Sequence, residues 1–104
     1  MAKQPESRIV DAIMADLRDH GAWCFKVHGG MYQAAGVPDI IGCLAGRFFA
    51  VEVKVPGARA TKLQELTLQR IRSAGGRAGV ATSVAEARAV VGLGEEQAEN
   101  RGGG

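Results

Sequence analysis

Two short segments carry residue types that can do chemistry together. Gly36-Val37-Pro38-Asp39 places a carboxylate directly after a proline, and Phe49-Ala50-Val51-Glu52-Val53-Lys54 places a second carboxylate two residues before an ammonium. Strand side chains alternate with period two, so Phe49, Val51, Val53 and Val55 share one face while Ala50, Glu52 and Lys54 share the other. Proline fixes its own φ and pushes Val37 toward extended geometry, which gives Asp39 a rigid entry into a strand. Mg²⁺ and Mn²⁺ prefer oxygen ligands, and Mg²⁺ is commonly held by one or two carboxylates together with water and substrate phosphate. Asp39, Glu52 and the backbone carbonyl of Val53 meet that need. Lys54, on the same face as Glu52, is placed to orient a water or to stabilise charge on a phosphate. This is equipment for hydrolysing a phosphodiester.

The elements that must position these groups are legible in the spacing. A helix is expected from Pro5, with Ile9, Val10, Ile13, Met14 and Leu17 at helical intervals and Gly21 closing it. Trp23 to Val27 alternates as a strand, and Gly29 to Gly36 reads as a glycine-containing loop holding Met31 and Tyr32. Ile40–Leu44 and Phe48–Val55 read as two strands joined through Ala45-Gly46-Arg47, a hairpin that brings Glu52 back beside Asp39. A helix follows from Thr61 to Ala74, stopped by Gly75-Gly76, then a strand over Arg77–Thr82. Ser83-Val84-Ala85-Glu86 opens a last helix through Val91 with an S-x-x-E capping pattern. The predicted fold class is α/β, in the order αβββαβα, with a mixed central sheet flanked by helices. Residues 1–94 read as one domain and residues 95–104, rich in Gly and Glu, as a disordered tail.

At 104 residues, with 46% hydrophobic and 23% charged side chains, the chain is a single small domain near the lower limit for an adequate core, and thus a candidate for dimerisation. The net charge of +2 is unevenly placed. Residues 47–77 hold seven basic and two acidic side chains, a local excess of +5. That stripe suits a polyanion, or else it is a solvated helix face. Arg47, Arg59 and Lys62 are the candidate phosphate contacts within it. Cys24, Cys43, His20 and His28 form no zinc pattern, and the cysteines read as thiols of a reducing, cytoplasmic compartment. No apolar run approaches a membrane span and no signal peptide is evident, so no membrane partner is expected. The glycines of the loop lack phosphate-loop spacing, and no organic cofactor is expected.

Glu6, Gln64 and His28 each have two readings. Glu6 shares the apolar stripe of the first helix, an unusual place for an acid, yet first-turn acids also favour the helix dipole. Thr61-Lys62-Leu63-Gln64 is a T-x-x-Q capping box, which accounts for both of its polar residues structurally. His28 is either an exposed strand end or a general base.

Taken in order, Gly36-Val37-Pro38-Asp39, Glu52-Val53-Lys54 and Thr61-Lys62-Leu63-Gln64 resemble the PD-(D/E)XK nuclease signature, in the form of the VRR-NUC (virus-type replication-repair nuclease) family. The similarity covers about residues 5–91. It implies a divalent-metal-dependent DNA endonuclease in which Asp39 and Glu52 are ligands to Mg²⁺ or Mn²⁺ and Lys54 is the catalytic lysine. Glu6 then lies near the metal and Gln64 at the site beside Lys54 or the attacking water. Minimal relatives resemble Holliday-junction resolvases in size, which implies a homodimer acting on branched DNA in repair or recombination. The rival expectation is a non-catalytic DNA-binding or scaffold protein that retains the fold. Acids facing phosphate argue against it, because they repel DNA unless a cation bridges them.

Overall fold

The structure, a computed structural model, describes residues 4–28 and 35–94. The expectations for Gly29 to Tyr32 and for the tail at 95–104 lie outside the described residues. Seven elements follow in the order α1 (Pro5–Asp19), β1 (Trp23–Lys26), β2 (Ile40–Leu44), β3 (Arg47–Val53), α2 (Lys62–Ser73), β4 (Arg77–Ala81) and α3 (Val84–Val90). The four strands form one sheet in their sequence order. β1–β2 and β2–β3 are antiparallel, and β3–β4 is parallel, as a helical crossover between them demands. The expected mixed α/β sheet flanked by helices is the observed one.

β3 divides the two layers. Its odd residues Phe49, Val51 and Val53 join Val10, Ile13, Leu17, Ala81, Ala87 and Val91 in the main core under α1 and α3. On the reverse face Ala50 packs with Leu68 of α2 and Ala78 of β4. Glu52 shares the parity of Ala50 and therefore points to the α2 face. β3 ends at Val53, two residues short of the expected Val55, because the chain turns at once: the Ala58 N–H donates to the Val55 carbonyl at 3.0 Å. At the other end of the hairpin Ala45 and Gly46 both have positive φ, 52° and 79°, the backbone that a two-residue primed turn requires.

The helix ends follow the sequence closely. Pro5 sits at the start of α1, and the apolar positions Val10, Ile13, Met14 and Leu17 are buried. A bidentate pair, Arg88 Nε and Nη2 to the Asp16 carboxylate at 2.8 and 2.6 Å, ties α3 to α1, and this guanidinium holds the Asp16 carboxyl below its ordinary pKa. α2 begins with the complete Thr61–Gln64 capping box. α3 has only half of one. The Ser83 hydroxyl accepts from the Glu86 N–H at 3.1 Å, but the Glu86 carboxylate reaches past the cap to the N–H and hydroxyl of Thr82. Among the described residues no helix is long and apolar enough to cross a membrane.

Candidate active site

Asp39 lies one residue before β2, and Glu52 is its counterpart on β3, since Ile40 pairs with Val51. Residues directly opposite in an antiparallel pair share a face with Cβ atoms about 5 Å apart. Asp39 is held twice. Its backbone carbonyl accepts from the Val27 N–H at 2.7 Å, which extends the β1–β2 ladder. Its Oδ2 accepts from the Val53 N–H at 2.8 Å. This second bond exists because Pro38, buried beside β3, has no N–H and lets the ladder lapse here. The carbonyl of a strand residue leaves on the same side as its N–H, so that of Val53 also faces the Asp39 edge.

Glu52 is only 3% exposed and is the one buried charged residue among those described. Its Oε2 lies 3.4 Å from Lys54 Nζ. Its Oε1 is buried without a hydrogen-bond partner. Burial pushes the Glu52 carboxyl up to about 7, the Asp39 charge beside it adds to the rise, and Lys54 opposes it. A buried carboxylate oxygen with no donor costs about 1–3 kcal/mol or more. A protein maintains such an oxygen where something else is to occupy it. The donors available are hard oxygens: the Asp39 carboxylate, Glu52 Oε1 and the Val53 carbonyl. That set fits a Mg²⁺ or Mn²⁺ ion.

The segment carrying Asp39 is braced against α2 through Gly36. Its φ of +85° suits glycine, and a Cβ there would lie 2.9 Å from Leu63 Cγ and 3.1 Å from the Leu63 carbonyl. Gly36→Ala should therefore be destabilising on two counts, by about 1–3 kcal/mol, measurable as a lowered urea midpoint with unchanged slope. A Gly36→Ala protein as stable as the wild type would show that this brace is absent.

The remaining predicted site residues divide. Lys54 is in place beside Glu52. Gln64 lies at the start of α2, and its Oε1 accepts from the Thr61 N–H at 2.8 Å, so the capping reading describes its oxygen. Glu6 is half-buried in the first turn of α1. Among the described residues no three acidic, histidine or cysteine side chains converge to hold an ion, so Glu6 is not drawn into a group with Asp39 and Glu52. Arg59 and Lys62 are exposed in the connection from β3 to α2, at the site's end of the sheet. Arg47 is not at that end. It opens β3 at the hairpin, five residues or about 17 Å from Glu52, and its Nε donates to the Gly75 carbonyl at 3.0 Å. His28 is exposed just past β1.

A mixed sheet between helices, with two carboxylates and a lysine gathered where the central hairpin opens, defines a nuclease-like core. The chain belongs to the VRR-NUC family, a nuclease family whose domain model matches residues 4–85. Among solved structures it is similar to one described as a VRR-NUC domain, with a TM-score of 0.72 and 21% identity over 86% of this chain and 97% of that one. It is also similar to Hjc of Archaeoglobus fulgidus, described as a Holliday junction resolvase from an archaeal hyperthermophile. That match has a TM-score of 0.57 and 23% identity, over 72% of this chain and 65% of that one. At these identities both likenesses establish the fold. No curated protein matches the chain in sequence.

Proposed function

We propose that the protein is a divalent-metal-dependent endonuclease that hydrolyses DNA phosphodiesters, acts on branched or Holliday-junction-like DNA, and works as a homodimer. The observation that carries the reading is the buried Glu52 carboxylate, kept beside Asp39 and Lys54 with one oxygen unpartnered. Asp39 Oδ2, fixed by the Val53 N–H, and the free Oε1 of Glu52 would hold Mg²⁺ or Mn²⁺ together with the Val53 carbonyl. When bound, the ion would supply Lewis-acid polarisation of the scissile phosphate. Lys54 balances the negative charge of the acid pair and presents its ammonium to the attacking water and to the charge gathering on the phosphate oxygens. Glu6 would reach this centre through water rather than as a direct ligand. Gln64 would act chiefly by fixing the start of α2. Arg59 and Lys62, at the same end of the sheet, would contact DNA phosphates, with Arg47 too far along β3 to join them at the same phosphate.

Family membership supports nuclease chemistry, and the likeness to a Holliday junction resolvase supports a branched substrate. The decisive experiment incubates the protein with Mg²⁺ or Mn²⁺ and a panel of linear, flap, fork and four-way DNAs, with a chelator control. Metal-dependent cleavage that favours the branched members is expected. Binding without cleavage under every metal condition would leave the scaffold reading in its place.

A further inference from the structure

The sheet is covered unequally on the α2 side. α2 packs against β3 and β4, and the β1–β2 half beside it stays open. Across that half the register aligns Trp23, Cys43 and Phe48 in one row and Phe25, Ile41 and Ala50 in the next. Neither row contains a charge. Trp23 is 66% exposed, Phe48 45% and Phe25 41%, so three of the chain's five aromatics face outward together. Trp23 and Phe25 meet edge to face at 5.3 Å, which holds the floor in one shape. An exposed, contiguous aromatic patch of this kind marks an interaction surface.

The wall of the open half belongs to α2. Glu65, Gln69 and Arg72 lean the opposite way, lining a cavity with Gly79 and Val80 of β4. By helical periodicity Leu63 and Thr67, four apart, then lie on the flank toward β1–β2, with Leu66 beside them. Leu63 and Leu66 are 47% and 40% exposed. The chain therefore carries both an apolar floor lacking a helix and a helix flank lacking a floor.

Both sheet edges, by contrast, are closed. Arg18 of α1 donates to the Cys24 carbonyl of β1, and Arg72 of α2 donates to the Ala78 carbonyl of β4, each at 2.8 Å. Blunted edges discourage a further strand from pairing there. We infer that a second copy of this chain docks on the open β1–β2 face, the Leu63–Leu66 flank of each α2 covering the Trp23–Phe25–Phe48 floor of the other about a two-fold axis. Self-complementarity is what a two-fold interface needs, and a floor without charges offers nothing to an acidic or basic peptide. A buried aromatic covers about 150–250 Å². The three here, with the two leucines, supply a large part of the roughly 800 Å² per partner of a stable interface. The inference rests on the proposed homodimer but not on the proposed cleavage.

Trp23 is the chain's single tryptophan, so its emission reports on this face directly. Sedimentation equilibrium should give twice the 10.9 kDa chain mass, with Trp23 emission shifting to the red as dilution separates the copies. Trp23→Lys and, separately, Leu66→Glu should each raise the dimer dissociation constant at least a hundredfold while far-ultraviolet circular dichroism stays unchanged. In Leu66→Glu, Trp23 should emit as an exposed indole at every concentration. A wild-type chain of single mass at all concentrations overturns the inference, and so does a dimer that both substitutions leave intact. Neither result touches the cleavage assay, so the two readings fail separately.

Discussion

Lys54→Ala is expected to lower the cleavage rate by at least about a thousandfold while the protein stays folded. Removing one preorganised donor from a hydrolytic site costs about 10²–10³ in rate, and here the same ammonium also partners Glu52 at 3.4 Å. Without it the Asp39 charge and burial act on Glu52 unopposed, so the Glu52 carboxyl should rise above its value of about 7. The variant should accordingly bind Mn²⁺ more weakly at pH 7 and recover most of its affinity near pH 8.5, where Glu52 is ionised in both proteins. Cleavage should not recover with it. Single-turnover rates and metal titrations at the two pH values make the check. A Lys54→Ala protein cutting at near-normal rate once saturated with metal would remove the lysine from the reaction.

Glu52→Gln should have opposite effects on activity and on stability. Cleavage should fall to background, because the free carboxylate oxygen is lost. In metal-free solution above pH 7, however, the variant should be more stable than the wild type. The sign follows from proton binding. Glu52 titrates near 7 in the folded protein against an ordinary 4.5, so between those values the folded state holds the extra proton. Stability therefore falls as pH rises through this window, by roughly 3 kcal/mol at full ionisation. Glutamine removes that loss. A melting temperature about 10 °C above wild type at pH 8, shrinking to little at pH 5, is expected from thermal unfolding with a chelator present. Added Mg²⁺ should stabilise the wild type at pH 8 and leave the variant unmoved. Identical pH profiles for the two metal-free proteins would mean that Glu52 carries no such burden.

Much of this site is legible in the chain because the information there is local. Alternation in Phe49 to Val53, the proline before Asp39 and the tight turn at Ala45-Gly46 fix which carboxylates meet, and Thr61 and Gln64 fix where α2 begins. Features that depend on spacing across elements are not legible in this way. Arg47 shares a basic stripe with Arg59 and Lys62 in sequence, but a strand of seven residues carries it to the far end of the sheet. The bond of Asp39 to the Val53 N–H depends on a ladder lapse, whereas the spacing points only to the Val53 carbonyl. Glu86 bypasses its cap for Thr82, and Asp16 finds Arg88 seventy-two residues away. Trp23 and Phe25 look like core aromatics by type. Only the position of α2 leaves them uncovered.

The hairpin that unites Asp39 and Glu52 also bears on how the chain acquires its shape. A two-residue turn closes it, so the two acids meet through near-neighbour contacts that form in microseconds, ahead of the slower crossover joining β3 to β4. Repulsion between the acids is then met early, while little of the surrounding core is in place. Mild acid should therefore quicken refolding in stopped-flow mixing, and Glu52→Gln should make that acceleration disappear.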